Sequence, residues 1–141
     1  MRNEVVTIEV PNVGTINVSA TMRGECNGTK MFNLRHYVYR LRIWSEHDSM
    51  TCNFHDCAFN YPKIKKLNRE ALLNALDCIL SDVSMYLNDE IEWNYDDEDA
   101  ALMKQAEKGC KRETEGFSKV VGGDEKLWTA IEFLTDYINN H

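Results

Sequence analysis

The sequence has 141 residues, of which 43% are hydrophobic and 28% are charged, and it carries a formal net charge of −7 at pH 7. This composition is ordinary for a globular domain, and no apolar run approaches the ~18 residues that a helix needs to cross a membrane. The first residues lack the apolar region of a signal peptide, and no disulfide framework can be read from an odd number of cysteines, five. We therefore expect one soluble domain, residues 1–141, in a reducing compartment inside the cell.

The N-terminal part, residues 1–57, has the period-two alternation that is typical of antiparallel strands. The pattern predicts four strands, at residues 5–10, 15–23, 36–45 and 50–54. The third strand is the longest, and it has one apolar face and one face with two arginines. The two faces consist of Tyr37, Tyr39, Leu41 and Ile43 and of Val38, Arg40, Arg42 and Trp44, respectively.

The C-terminal part, residues 68–141, changes to the 3.6-residue period of amphipathic helices. The first of its helices has the clearest apolar stripe, with Asn68 as the predicted N-cap and Asn88 near the predicted end. The stripe consists of Leu72, Leu73, Leu76, Ile79, Leu80, Val83, Tyr86 and Leu87. We expect this helix to be the main core element.

Two further helices follow in the sequence. One is predicted to begin at an acidic cap, Asp96 or Asp97, and to end at Gly122, although two internal glycines weaken it by up to about 1 kcal/mol each relative to alanine. The other is predicted to begin at Asp124 and to bury Trp128 in the core. The expected fold is therefore α+β, with an N-terminal four-stranded antiparallel meander followed by about three helices packed on one face.

Charge is segregated along the chain. Residues 1–69 hold ten basic and six acidic residues, whereas residues 70–103 hold ten acidic residues and no basic one. The densest acidic segment also contains two aromatic residues, and it comprises Asp89, Glu90, Glu92, Trp93, Tyr95, Asp96, Asp97, Glu98 and Asp99. Such a run is usually a solvated surface, but rows of carboxylates can also imitate phosphates and occupy a basic, nucleic-acid-binding site on a partner.

Metal binding and catalysis are not predicted. The acidic segment lacks the glycine that a calcium loop needs for its turn. Cys52, His55 and Cys57 lie within six residues, but a zinc site needs four ligands and no second pair is found elsewhere in the sequence. The usual motifs around a nucleophile or a phosphate-binding loop are also missing. We expect no metal, no cofactor and no catalytic residue, hence a binding protein and not an enzyme.

A family resemblance rests on a series of features in the middle of the chain. The run Asn53-Phe54-His55-Asp56-Cys57 is followed by Asn60, by the capped leucine-rich helix and by the acidic-aromatic sequence IEWNYDDEDA, which leads into a helix of the form A-x-x-x-x-x-A-x-x-x-C. Over residues 50–122 the chain thereby resembles a family of small tailed-phage and prophage proteins. Cys57 stands where that family usually has serine.

The resemblance implies a counter-defence protein of anti-CRISPR or related type, acting in the cytoplasm of an infected bacterial host. Its partner would be a bacterial host defence protein bound through the acidic segment, without direct binding to nucleic acid or to a membrane. The alternative is a sponge that sequesters a small anionic nucleotide, either a cyclic nucleotide or an NAD-derived immune signal. Its predicted ligand contacts are Arg40, Arg42, Asn60 and Lys63. A structural phage protein with neither activity is a third interpretation.

The chain is also predicted to form a homodimer. In the third strand, Val38 and Trp44 lie on the face opposite the apolar one, so they need a second surface if they are to leave water. We expect residues 36–45 at or near the interface.

Overall fold

The computed structural model describes residues 4–26, 36–55, 68–89 and 100–140. They form four strands and three α-helices: β1 (Val6–Val10), β2 (Gly14–Cys26), β3 (His36–Trp44), β4 (Ser49–His55), α1 (Arg69–Leu87), α2 (Ala100–Val121) and α3 (Leu127–Asn140), with a single 3₁₀ turn (Asp124–Lys126) before α3. The predicted α+β arrangement of an antiparallel sheet followed by three helices is confirmed. None of these helices is long and apolar enough to cross a membrane.

The sheet is a simple meander in which each strand pairs with its neighbour in sequence, in the order β1-β2-β3-β4. All three pairs are antiparallel, and the register places Ala20 opposite Leu41 and Ile43 opposite Met50. The turn between β1 and β2 uses positive φ angles at Asn12 and Gly14, a conformation that these two residue types tolerate best. β1 and β4 are therefore the two edges of the described sheet, and β3 lies inside it.

One face of the sheet and the inner faces of the helices form a single core. The predicted alternation is confirmed, since Tyr39, Leu41 and Ile43 are buried whereas Arg40 and Arg42 are exposed. The core residues with no more than 1% exposure are Val6, Ile16, Val18, Ala20, Tyr39, Leu41, Ile43, Leu72, Leu76, Leu80, Val83, Phe117, Val120, Val121, Ala130 and Leu134. These core residues come from both the strands and the helices. The sheet and the layer of helices therefore share one hydrophobic core.

The limits of α1 agree with the prediction. The side chain of Asn68 accepts a hydrogen bond from the backbone N–H of Ala71 at 2.9 Å, and Asn88 is the C-cap. The start of the helix is also fastened to α3, because the guanidinium of Arg69 donates a hydrogen bond to the hydroxyl of Tyr137 and lies 5.7 Å from the centre of its ring. The helix is thus fixed at its first turn by contacts that are remote in sequence.

The end of α2 is held against the sheet. Gly122 and Gly123 have positive φ angles of 94° and 129°, which confirms that the helix ends there. The hydroxyl of Ser45, after β3, donates to the carbonyl of Val120 at 2.5 Å and so satisfies one of the carbonyls that the last turn leaves unpaired. The predicted start of this helix, at Asp96 or Asp97, lies outside the described residues.

The prediction that Trp128 is buried is wrong, because 41% of this residue is exposed. The buried stripe of α3 runs through Leu127, Ile131 and Leu134. Each step along a helix rotates a residue by about 100°, so the position directly after Leu127 points away from that stripe.

The prediction of a homodimer depends partly on the need of Trp44 for a second surface, and the structure reduces that need. The guanidinium of Arg42 lies over the ring of Trp44, 4.5 Å from its centre, so the chain itself covers part of this indole. The homodimer stays a prediction that light scattering tests. A mass near the 16.4 kDa of one chain, unchanged on concentration, would contradict it.

Candidate functional site

The described structure reaches only the first residue of the acidic segment. Asp89 follows the C-cap of α1, is exposed and has a positive φ of 54°. The remaining predicted contacts lie outside the described residues: Glu90, Glu92, Trp93, Tyr95, Asp96, Asp97 and Asp99. The solvent side of α1 also exposes Glu70 and Asp77, so the acidic character of the segment begins along this helix.

The residues predicted for the alternative, ligand-binding function are separated by the structure. Arg40 lines a cleft beside β4, whereas Arg42, two residues along the same face, is stacked on Trp44. Asn60 and Lys63 lie outside the described residues. Of the four predicted contacts, Arg40 alone is placed at a concave site by the described structure.

The cleft lies between the edge strand β4 and helix α2 and has a volume of about 540 Å³. This volume is within the range of small-molecule sites. It is lined by Arg40, Met50, Thr51, Cys52, Asn53, Gly109, Arg112, Glu113 and Gly116. Since Met50 and Cys52 lie on the core face of β4 whereas Thr51 and Asn53 lie on its outer face, the cleft extends around the edge of the described sheet.

Two glycines in α2 give the cleft its shape. Gly109 and Gly116 are seven residues apart, which is two helical turns, so they lie on the same face of the helix. A Cβ atom at Gly116 would be 3.2 Å from the Cβ of Met50, whereas a Cβ atom at Gly109 would have no atom within 4 Å. The helix therefore contacts β4 closely at Gly116 and leaves an open space at Gly109.

Two arginines reach the cleft from different elements. Arg40 comes from β3 and Arg112 from α2, and both residues are exposed. Within the described ranges, neither guanidinium has an ion-pair partner at salt-bridge distance. The cleft thus offers two positive groups that can accept an anionic ligand.

A pair of carboxyl groups joins α1 to α2 next to the cleft. Burial raises the pKa of Glu113 to about 7, and the negative charge of Asp82 and a hydrogen bond to it act in the same direction, against a smaller opposing effect of Arg112. Burial also raises the pKa of Asp82, and the hydrogen bond from Glu113 opposes that shift. Near neutral pH the two groups therefore share a proton, which Glu113 donates to Asp82.

The orientation of Glu113 leaves one polar atom without a partner. Its Oε2 atom is closed to solvent and accepts no hydrogen bond from any described residue. A buried acceptor of this kind is destabilising, and it disfavours the ionised carboxylate more than the neutral acid. It therefore agrees with the raised pKa of this carboxyl group.

Three thiols lie in the field of the same carboxyl pair. Burial, followed by the charges of Glu113 and Asp82, raises the pKa of Cys52 to about 12, and burial followed by the same two charges raises the pKa of Cys110 to about 11. The pKa of Cys78 is also raised, chiefly by burial. These thiols are protonated at neutral pH, which makes them poor nucleophiles.

The structure offers no metal centre in its described part. Cys57, one of the three predicted soft ligands, lies outside the described residues, and Cys52 is a half-buried free thiol. Residues 4–26, 36–55, 68–89 and 100–140 contain no group of three or more His, Cys, Asp or Glu residues that could hold a metal ion.

Sequence reasoning did not identify Asp82, Gly109, Arg112 or Glu113 as site residues. One signal in the sequence points to part of the site, namely the spacing of seven residues between Gly109 and Gly116, which marks a helix face without side chains. The rest of the site could not be predicted, because it depends on which strand packs against that face.

No family model, curated protein or solved structure matches this chain, so the resemblance to phage proteins stays a prediction.

Proposed function

We propose that this chain is a phage-encoded counter-defence protein that inhibits a bacterial immune protein by direct binding in the host cytoplasm. The proposed contact surface consists of Asp89, Glu90, Glu92, Trp93, Tyr95, Asp96, Asp97 and Asp99. The observation that carries the proposal is the complete lack of basic residues from position 70 to position 103, over which ten acidic residues occur.

Two physical arguments support this surface. A concentration of one sign of charge speeds the encounter with an oppositely charged partner, and tryptophan and tyrosine are frequent anchors at the centre of interfaces. The acidic segment also follows directly on α1, whose buried stripe and contact between Arg69 and Tyr137 fix the helix against the core. Asp89, the first residue of the acidic segment, therefore directly follows a helix that is fixed against the core.

The proposal is tested by charge reversal in the acidic segment. We expect the triple substitution of Asp96, Asp97 and Asp99 by lysine to abolish inhibition, measured as phage plaque formation on a host that carries the defence system. The matched control reverses Glu125, Glu132 and Asp136, which are exposed around α3 and give the same change in net charge. Thermal unfolding of both variants checks that they are folded. Equal plaque formation with the wild type and the first variant contradicts the proposal.

Sequestration of an anionic nucleotide signal is a second proposal, favoured by the position of Arg40 in the cleft. A ligand at 100 times its dissociation constant adds about 2.7 kcal/mol to the free energy of unfolding. Thermal unfolding with a panel of cyclic nucleotides and NAD-derived products therefore tests it. An unchanged unfolding temperature across the panel contradicts this second proposal and leaves the first one standing.

A further inference from the structure

We infer that the cleft between β4 and α2 binds a nucleoside phosphate, with its phosphate between Arg40 and Arg112 and its base toward Asn53. This inference rests on the second proposed function, sequestration of an anionic nucleotide, and takes from it only the class of ligand. It assigns the binding to a particular site, in which Asn53, Gly109 and Arg112 have roles that the sequence alone did not indicate.

The phosphate end follows from the two arginines. Arg40 and Arg112 enter the same cleft from a strand and a helix, both are exposed, and no described carboxylate forms an ion pair with either one. A guanidinium group presents parallel N–H donors that match two oxygens of a phosphate, which a single ammonium group cannot do. Two such groups that line one cleft favour an anionic ligand.

The base end follows from Asn53, an exposed residue of the cleft. Its side-chain amide offers both a donor and an acceptor. The edge of a nucleobase carries donors and acceptors side by side, so this amide can hydrogen-bond to it. Inorganic phosphate alone would leave this amide unused.

The shape of the cleft agrees with a ligand that has one flat ring system. The cleft is also lined by Met50 and Cys52 and by the bare backbone at Gly109. The missing side chain at Gly109 lets a planar group approach the helix closely, and the thioether of Met50 is a favourable neighbour for an aromatic ring. The volume of about 540 Å³ suits a ligand of mononucleotide size.

A substitution of Gly109 can distinguish a loss of ligand binding from a loss of folding. A side chain at this position meets no atom of the described protein within 4 Å of its Cβ, so leucine there occupies the cleft without a clash at its Cβ. Leucine also favours a helix over glycine, so we expect Gly109→Leu to unfold at a higher temperature than the wild type. A loss of ligand binding in a variant that is more stable cannot be attributed to unfolding.

The experiment is isothermal titration of the wild type and four variants with AMP, GMP, 3′,5′-cyclic AMP, a cyclic dinucleotide and inorganic phosphate, each at millimolar concentration. We expect at least one mononucleotide to bind the wild type more tightly than inorganic phosphate. The substitutions Gly109→Leu, Arg40→Gln and Arg112→Gln should each weaken that binding by about tenfold or more. Lys119→Gln is the matched control, because Lys119 is an exposed cation of α2 outside the cleft and its removal should leave the affinity unchanged.

Three outcomes overturn the inference. Nucleotide binding that Gly109→Leu and Arg112→Gln leave unchanged places the ligand elsewhere, which refutes the cleft but not the sequestration function. Inorganic phosphate that binds as tightly as every nucleotide refutes the role of Asn53. The absence of binding by all five compounds refutes both the inference and the second proposed function.

Discussion

The two ends of the contact between α2 and β4 are built in opposite ways. At one end, Gly116 brings the helix within contact of Met50, and Phe117 and Val120 are fully buried. At the other end, Gly109 faces open space, with Arg40 and Arg112 at the walls. The comparison shows that one helix face can both fix its own position and border a cleft, because the packed end keeps the helix from closing over the open end.

The largest expected effect concerns the packed end. Phe117→Ala should lower the free energy of unfolding by about 3–5 kcal/mol, because it removes a side chain with 0% exposure and leaves a cavity. Urea denaturation measures this change. Lys119→Ala, on the solvent side of the same helix, is the control and should stay within about 0.5 kcal/mol of the wild type. A similar loss for both variants would show that the packed end is no more important than the helix surface.

The next prediction concerns Gly116, the glycine of the packed end. Gly116→Ala should lower the free energy of unfolding by about 1–2 kcal/mol, although alanine favours a helix over glycine. The reason is that the new Cβ would be 3.2 Å from the Cβ of Met50, an atom that can move only together with its strand. Denaturant titration measures the effect, and an increase in stability would show that strand and helix separate easily.

The carboxyl pair beside the cleft predicts a dependence on pH. Because the pKa of Glu113 is raised from 4.5 to about 7 in the folded protein, the folded state binds more protons than the unfolded state between those values. The resulting stabilisation is therefore complete below pH 4.5 and is lost as the pH rises through about 7. We expect a loss of about 1 kcal/mol, less than the full shift implies because the carboxyl group is partly solvated.

Glu113→Gln tests this dependence, since glutamine keeps the shape of the side chain but does not titrate. The free energy of unfolding of this variant should change less between pH 4.5 and pH 7 than that of the wild type. Glu107→Gln, which changes a carboxyl group of the same helix outside the pair of Asp82 and Glu113, is the control. Parallel pH profiles for the wild type and Glu113→Gln would contradict the shared proton.

The smallest effect is expected at the open end, and its sign is opposite. Gly109→Ala should raise the free energy of unfolding by about 0.5–1 kcal/mol, because the methyl group meets no atom within 4 Å and alanine loses less backbone entropy than glycine. Together with Gly116→Ala, it gives the same substitution at two positions of one helix face. If both variants are destabilised, the space at Gly109 closes in solution.

Periodicity predicted most of the fold, because each element of this protein has a one-sided apolar pattern. The limits of α1 at Asn68 and Asn88 could be predicted from local chemistry, since a cap interacts with its own helix. The error at Trp128 has the same origin, because the apolar residues of α3 exceed the width of its buried stripe. Local patterns therefore sufficed for the elements and for most of the core.

The cleft could not be predicted in this way. Arg40 and Arg112 are 72 positions apart in the sequence, and their meeting depends on the packing of α2 against β4. In the sequence, Gly109 and Gly116 indicate only a weaker helix, whereas the structure gives them opposite environments. Asp82 and Glu113 likewise acquire a shared proton only when α1 and α2 lie side by side. Long-range packing thus determines the candidate site.

The suppressed ionisation of Cys52 has a consequence for measuring motion. With a pKa of about 12, only about one thiol in ten thousand is a thiolate at pH 8, so a reagent such as iodoacetamide will hardly modify it in the closed protein. When β4 separates from the helices, the thiol regains its ordinary acidity and reacts quickly. The alkylation rate of this cysteine, followed by peptide mass spectrometry, therefore measures the opening of the junction between the sheet and the helices.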